Sequence, residues 1–276
     1  MQTLPTPLVA FDTESATSSG APHLIELGAV RFGAGDSEEH FQALVRPEVE
    51  VDEHALAVHG ISDADLVDAE PAPDVLERFF EFAADATLIA HNARADANTL
   101  GFACARADLA PPPLRILDSL ALARAAFPDA PDHRLDTLVE FLGLEIDGLH
   151  RALPDAVACW QLVEACLEEL GHGEPWSESR LFAAAAIPFP LTGALPPRPN
   201  RRPAQVRVLE AARREELPVT LCYGGSSSPP ARITVTPRLL YRGRDHCYIE
   251  AECHASGLLK TYRLDRVQRV EASSPR

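Results

Sequence analysis

The sequence predicts two domains: a mixed α/β sheet flanked by helices, followed by a small all-β domain. Three observations carry this. Strand-length apolar runs over residues 8–45 give way, from Ala72 on, to helical spacing broken by short apolar strands. A proline-dense stretch from Pro188 to Pro203 then interrupts all regular structure. Net charge also changes sign there: residues 1–197 hold 10 basic and 33 acidic residues (−23), and residues 198–276 hold 15 basic and 8 acidic (+7).

In order along the chain, Leu8-Val9-Ala10-Phe11 reads as the first strand, Leu24 to Phe32 as the second and His40 to Val45 as the third, ending at Pro47. Their close spacing suggests an antiparallel meander. Helical spacing follows over Ala72 to Ala84, Asp96 to Ala107, Ser119 to Ala126, Leu135 to Leu142 and Leu153 to Leu170. Thr87 to His91 and Arg115 to Asp118 are short strands between them. Trp176 to Ile187 is expected to form a short helix packing back on this domain, inside a proline-rich linker at 173–203. Gln205 to Glu216 is an amphipathic helix. It precedes five β-rich runs, Val219 to Tyr223, Ala231 to Tyr241, Cys247 to Cys253, Thr261 to Leu264 and Val267 to Val270, expected as a small barrel or rolled sheet. The domains are thus 5–172 and 204–272.

Of the chain's 276 residues, 41 are acidic and 25 basic, a net charge of −16 that on bulk argues against nucleic-acid binding. No apolar stretch is long enough to span a bilayer, and residues 1–6 carry no secretory signal. Six cysteines without a C-x-x-C pair suit free thiols in a reducing cytoplasm.

Three clusters carry chemistry. In Phe11-Asp12-Thr13-Glu14 both carboxylates lie on one face of a strand end, costly without a cation. His91-Asn92-Ala93-Arg94-Ala95-Asp96 follows a buried strand, and Asp96 falls where a helix starts, as an N-cap would. His150-Arg151-Ala152-Leu153-Pro154-Asp155 opens the last helix of the domain, where Asp155 suits the helix dipole. Each has a plain structural role open to it. Together they supply four carboxylates and a histidine. Four carboxylates can hold two hard divalent ions, Mg²⁺ or Mn²⁺, and a histidine can deprotonate an attacking water.

These clusters resemble the three motifs of the DEDDh 3′–5′ exonucleases, the family of bacterial proofreading epsilon subunits. The second motif matches with Ala95 in place of Phe, and Ser15 stands where Thr is common. Ile25-Glu26-Leu27-Gly28-Ala29-Val30, His59-Gly60-Ile61 and His133 to Leu138 also fit, so the resemblance covers about residues 5–171. It implies an RNase H-like fold. Asp12, Glu14, Asp96 and Asp155 would bind two Mg²⁺ or Mn²⁺, and His150 would be the general base. Attack at the terminal phosphodiester would release a nucleoside 5′-monophosphate. Thr13, Asn92 and His91 would meet the 3′ end of the substrate, with single-stranded DNA favoured.

The last domain is arginine-rich, and Arg232, Arg263 and Arg266 with Tyr241 and Tyr248 suggest a surface for phosphates and bases. Arg263 and Arg266 would need a turn between them to share a face. The pattern is similar to the WYL domain over about residues 205–272, with Cys247-Tyr248-Ile249 at the naming tripeptide. That resemblance implies an SH3-like sheet binding nucleic acid or a nucleotide-like ligand. The alternative function is a nucleotide sensor in which this domain regulates an exonuclease-like effector or scaffold. Leu181-Phe182 faintly resembles a sliding-clamp peptide, for which packing is the simpler role.

Overall fold

The computed structural model describes residues 7–32, 38–185, 188–224 and 230–272. The leaderless N-terminus read over residues 1–6 lies outside them. Two compact units divide at Leu195/Pro196.

In the first unit, strands β1 (Leu8–Ser15), β2 (Leu24–Phe32) and β3 (Glu39–Leu44) form the expected antiparallel meander. Helices α1 (Glu53–His59) and α2 (Ala72–Phe82) lead to β4 (Thr87–Ala90), which pairs parallel with β1. Helix α3 (Arg94–Arg106) crosses to β5 (Arg115–Asp118), parallel to β4. Helices α4 (Ser119–Ala126), α5 (Leu135–Leu142), α6 (Ala152–Gly171) and α7 (Glu178–Ala184) follow. A two-residue strand β6 (Phe189–Pro190) pairs antiparallel with β5, giving sheet order β3-β2-β1-β4-β5-β6. This is the expected mixed sheet flanked by helices, the RNase H-like arrangement.

The period-2 alternation of β1 divides its side chains between two layers. Leu8 and Ala10 pack with Leu122, Cys159, Val163 and Leu181 under α4, α6 and α7. Val9 and Phe11 pack with Val75, Phe79, Leu100 and Cys104 under α2 and α3. By the same parity Asp12 and Glu14 point to the α6 side as β1 leaves the core, and Thr13 to the α3 side.

The stretch expected as a linker is mostly part of this unit. Trp176 and Leu181 are buried in the α6 layer, and Leu191 in the α3 layer. Pro190 is tolerated in β6 because an edge strand needs hydrogen bonds on one side only. The short helix expected over 176–187 is α7; residues 186–187 lie outside the described residues. Leu181 is wholly buried and Phe182 packs against the same core, so no clamp peptide is displayed there. Short elements show no period in the sequence: α1, the 3-10 turns Asp63–Leu66 and Leu191–Ala194, and β6 are additions to the expected order.

The second unit opens with α8 (Pro203–Arg214), its proline at the first helical position where no N–H is missed. Strands β7 (Val219–Tyr223), β8 (Ala231–Arg242), β9 (Cys247–Cys253), β10 (Leu258–Arg263) and β11 (Val267–Ala272) form one antiparallel sheet of order β10-β9-β8-β7-β11. Pro237 sits inside β8 at a register shift, where a bulge spares it a ladder bond. Leu209 and Ala212 of α8 close the core over Leu221, Val235, Ile249 and Val267. Among the described residues no helix is long and apolar enough to cross a membrane.

Candidate active site

Three elements end at one place: β1, the first turn of α3 and the first turn of α6. Asp12, Glu14 and Asp155 each offer an oxygen within 4.8 Å of the others. Asp96 joins them through Thr13, whose amide and hydroxyl donate to Asp96 Oδ1 at 3.0 and 2.9 Å. Asp96 is not the N-cap expected from sequence: Ala93 holds that position, and Asp96 stands in the first turn, almost wholly buried. Asp155 does lie in the first turn of α6, as expected.

Crowding these acids is costly. Burial, and then Asp96, Glu14 and Asp155 in turn, hold the Asp12 carboxyl well above its ordinary range. Burial, with Asp155 next, pushes Glu14 to about 8. Burial lifts Asp96 to about 7 against the two Thr13 hydrogen bonds, and burial also raises Asp155. An oxygen-only donor set whose charges repel in this way fits hard divalent cations, Mg²⁺ or Mn²⁺. Asp12, Glu14, Asp96 and Asp155 would hold them.

His150 is exposed, immediately before α6, in the left-handed region at φ 67°, and its amide donates to Asp155 Oδ1 at 3.1 Å. It lines a cleft of about 710 Å³ together with Asp155, His91, Asn92, Arg124 and Arg134. Asn92 is also left-handed, at φ 61°, with its amide donating to Asp118 Oδ1 at 3.0 Å. His91 has both ring nitrogens engaged. Nε2 donates to the His133 carbonyl at 2.8 Å, and Nδ1 accepts from the Ser119 hydroxyl at 2.9 Å. Burial lowers its pKa and favours this neutral form, so His91 braces the cleft wall.

Glu26 and Arg151 also shape the site, though the sequence motifs assign them no role of their own. Glu26 of β2 is wholly buried and grips Arg151 and the start of α6. Burial raises its pKa, but hydrogen bonds from Arg151, the Ala152 amide and Gln42 bring it below the ordinary value. The available signal was one charge inside an apolar strand, Ile25-Glu26-Leu27, which has to find a partner.

In the second unit, a 3-10 turn (Leu264–Arg266) joins β10 to β11, so the chain does turn between Arg263 and Arg266. Arg263 is held bidentately by Asp265 at 3.1 and 2.7 Å and approaches His246 Nδ1 at 3.3 Å. His246 lies edge-on to Tyr248, which stacks on Tyr241 with centroids 5.2 Å apart. Tyr241 itself is buried, which leaves little of its ring open for a base to stack on. Arg232 belongs elsewhere, ion-paired with Glu271 of β11 at 2.6 Å, and Arg266 is exposed. His246 and Asp265, unread in the sequence, thus complete a polar cluster around Arg263.

Comparison with known proteins fits this geometry. The family model described as Exonuclease (RNase T) matches residues 9–163, and the WYL domain model matches residues 204–272. The PolC-type DNA polymerase III of Bacillus cereus is 32% identical over 163 residues, 59% of this chain and 11% of its own length. The chain therefore spans about a tenth of the PolC relatives it matches. The nuclease domain of 3′hExo, a DEDDh family member bound to rAMP, superposes with a TM-score of 0.54 at 19% identity, over 63% of this chain and 96% of that domain. E. coli exonuclease I with a dT13 oligonucleotide covers 97% of this chain and 66% of its own, with a TM-score of 0.52 at 12% identity. At these identities the structural likeness speaks for the fold. With the exonuclease model matched over residues 9–163 and Asp12, Glu14 and Asp155 brought together, the chain belongs to the DEDDh exonuclease family and carries a WYL domain at residues 204–272.

Proposed function

We propose that this protein shortens nucleic acid from the 3′ end by metal-dependent hydrolysis, releasing nucleoside 5′-monophosphates, with single-stranded DNA as the favoured substrate. The observation that carries this is the convergence of Asp12, Glu14 and Asp155 within 4.8 Å, with Asp155 also lining the cleft that His150 lines. The divalent ions, when bound, supply Lewis-acid stabilisation of the charge that develops on the phosphate oxygens. Asp12, Glu14, Asp96 and Asp155 would hold the ions. His150, exposed beside them, accepts a proton from the attacking water. Thr13 keeps Asp96 in place, and the Asn92 and His91 wall guides the strand end. The dT13 and rAMP bound by proteins of this fold support a nucleic-acid terminus as substrate. The six unpaired cysteines support a reducing, cytoplasmic setting.

The WYL domain would capture or gate the strand. The compact cluster of Arg263, Asp265, His246 and Tyr248 favours a second reading, in which this unit binds a nucleotide and regulates the nuclease. The test is product analysis on 3′-labelled single-stranded DNA, duplex DNA and RNA, with Mg²⁺ or Mn²⁺ and with EDTA. Stepwise shortening that Asp12→Ala or Asp155→Ala abolishes is expected; activity persisting in both variants refutes the site.

A further inference from the structure

Glu26 is a fifth carboxylate beside the four, and its bonding sets it apart. Its Oε1 accepts from Arg151 Nη2 at 2.6 Å and Gln42 Nε2 at 2.9 Å. Its Oε2 accepts from Arg151 Nε at 2.9 Å and the Ala152 amide at 3.0 Å. With four donors on two oxygens the carboxylate has no lone pair left for a metal ion. The side chain is 0% exposed while that of Arg151 is 40% exposed, so the charge is buried from one side only. Such a pair contributes little net stability against an apolar replacement, but it fixes geometry through a bidentate fork.

What it fixes is the junction that carries the chemistry. Arg151 is the N-cap of α6 and Ala152 its first residue. His150 precedes them, and Asp155 follows in the same turn, its amide bonded to the Arg151 carbonyl at 3.0 Å. Glu26 lies directly across from Glu14 in the β1–β2 register, and Gly28 across from Asp12. One buried side chain on β2 therefore ties the segment holding His150 and Asp155 to the strand pair holding Asp12 and Glu14.

We propose that Glu26 and Arg151 form a positioning pair that sets His150 and Asp155 against Asp12 and Glu14, and so governs metal affinity and turnover without touching substrate. The proposal rests on the exonuclease reading for its catalytic part alone. The test compares Glu26→Gln, Arg151→Lys, Arg151→Met and the Glu26→Gln/Arg151→Met double variant in the full chain. Direct Mn²⁺ binding is followed by electron paramagnetic resonance, kcat and KM on 3′-labelled oligonucleotide, and Tm by calorimetry. Glu26→Gln and Arg151→Met are expected to weaken Mn²⁺ binding and lower kcat by about 10–100-fold with KM little changed. Arg151→Lys should recover part of both, and the double variant should be no worse than the poorer single one. A lowered Tm with unchanged Mn²⁺ affinity and kcat overturns the proposal and leaves the pair a structural brace. So do additive losses in the double variant. If the unsubstituted chain degrades no nucleic acid, the functional reading fails, and the Mn²⁺ titration alone decides the positioning.

Discussion

Gly28→Ala is a small change with a large expected consequence. Gly28 faces α6 from β2, and a Cβ there would stand 2.2 Å from the Ala152 carbonyl carbon and the Leu153 nitrogen, and 2.5 Å from the Ala152 oxygen. All three are backbone atoms, so no side chain can rotate away. Ordinary carbon contacts begin near about 3.5 Å, so the start of α6 has to retreat by roughly 1 Å. That retreat carries Asp155 away from Asp12 and Glu14 and stretches the 3.0 Å bond from the Ala152 amide to Glu26. Overpacking of this kind destabilises by about 1–3 kcal/mol. A misplacement of about 1 Å at reacting groups costs on the order of 10²-fold in rate. Single-turnover cleavage of 3′-labelled oligonucleotide, run well below the variant's melting temperature, should therefore show a loss near about 10²-fold. Tm should fall by several degrees. An unchanged rate with unchanged Tm would show that α6 has room to move and that its close seating on β2 sets nothing.

Three further outcomes are expected. Without metal the raised carboxyls make the folded state bind more protons than the unfolded one, so stability falls as pH rises from the ordinary carboxylate range toward about 8, the value of Glu14. Thermal melts in EDTA should drop between pH 5 and 8, and Mg²⁺ should restore Tm at pH 8; a flat profile in EDTA counts against the buried acid cluster. Removing residues 196–276 should weaken strand binding and flatten its dependence on salt, read by fluorescence anisotropy from 50 to 200 mM NaCl. Unchanged affinity and slope would direct attention to a nucleotide ligand for that unit. Leu181→Ala should cost about 2–5 kcal/mol in denaturant unfolding of the first unit, since Leu181 is 0% exposed; a cost near zero would return residues 173–195 to linker.

The site was legible because its parts are local. Asp12 and Glu14 share a face by strand alternation, and Asp155 sits in the first turn of a long helix. Patterns of period 2 and 3.6 reveal both. The grip of Glu26 on Arg151 spans 125 residues and leaves no local trace beyond a charge in an apolar strand. Asp96 was misplaced by three residues as a cap because the helix begins at Arg94, two residues earlier than its apolar spacing shows. The arginines of the second unit read as free cations in sequence. Glu271, Glu252 and Asp265 meet Arg232, Arg238 and Arg263, two of the three across strands, and register of that kind is set by the fold. Strand β6 was invisible because its two residues, Phe189 and Pro190, lie where prolines argue against any strand.

That small strand has a consequence for self-association. A sheet edge with free N–H groups invites a second chain to add a strand, and β5 would offer such an edge if the sheet stopped there. β6 covers it with a residue that has no N–H, Pro190, so the outer rim presents a poor template for further pairing. A nuclease unit cut at residue 172 would lose that cover together with Trp176, Leu181 and Leu191, and should aggregate on concentration, whereas one ending at Leu195 keeps its own seal.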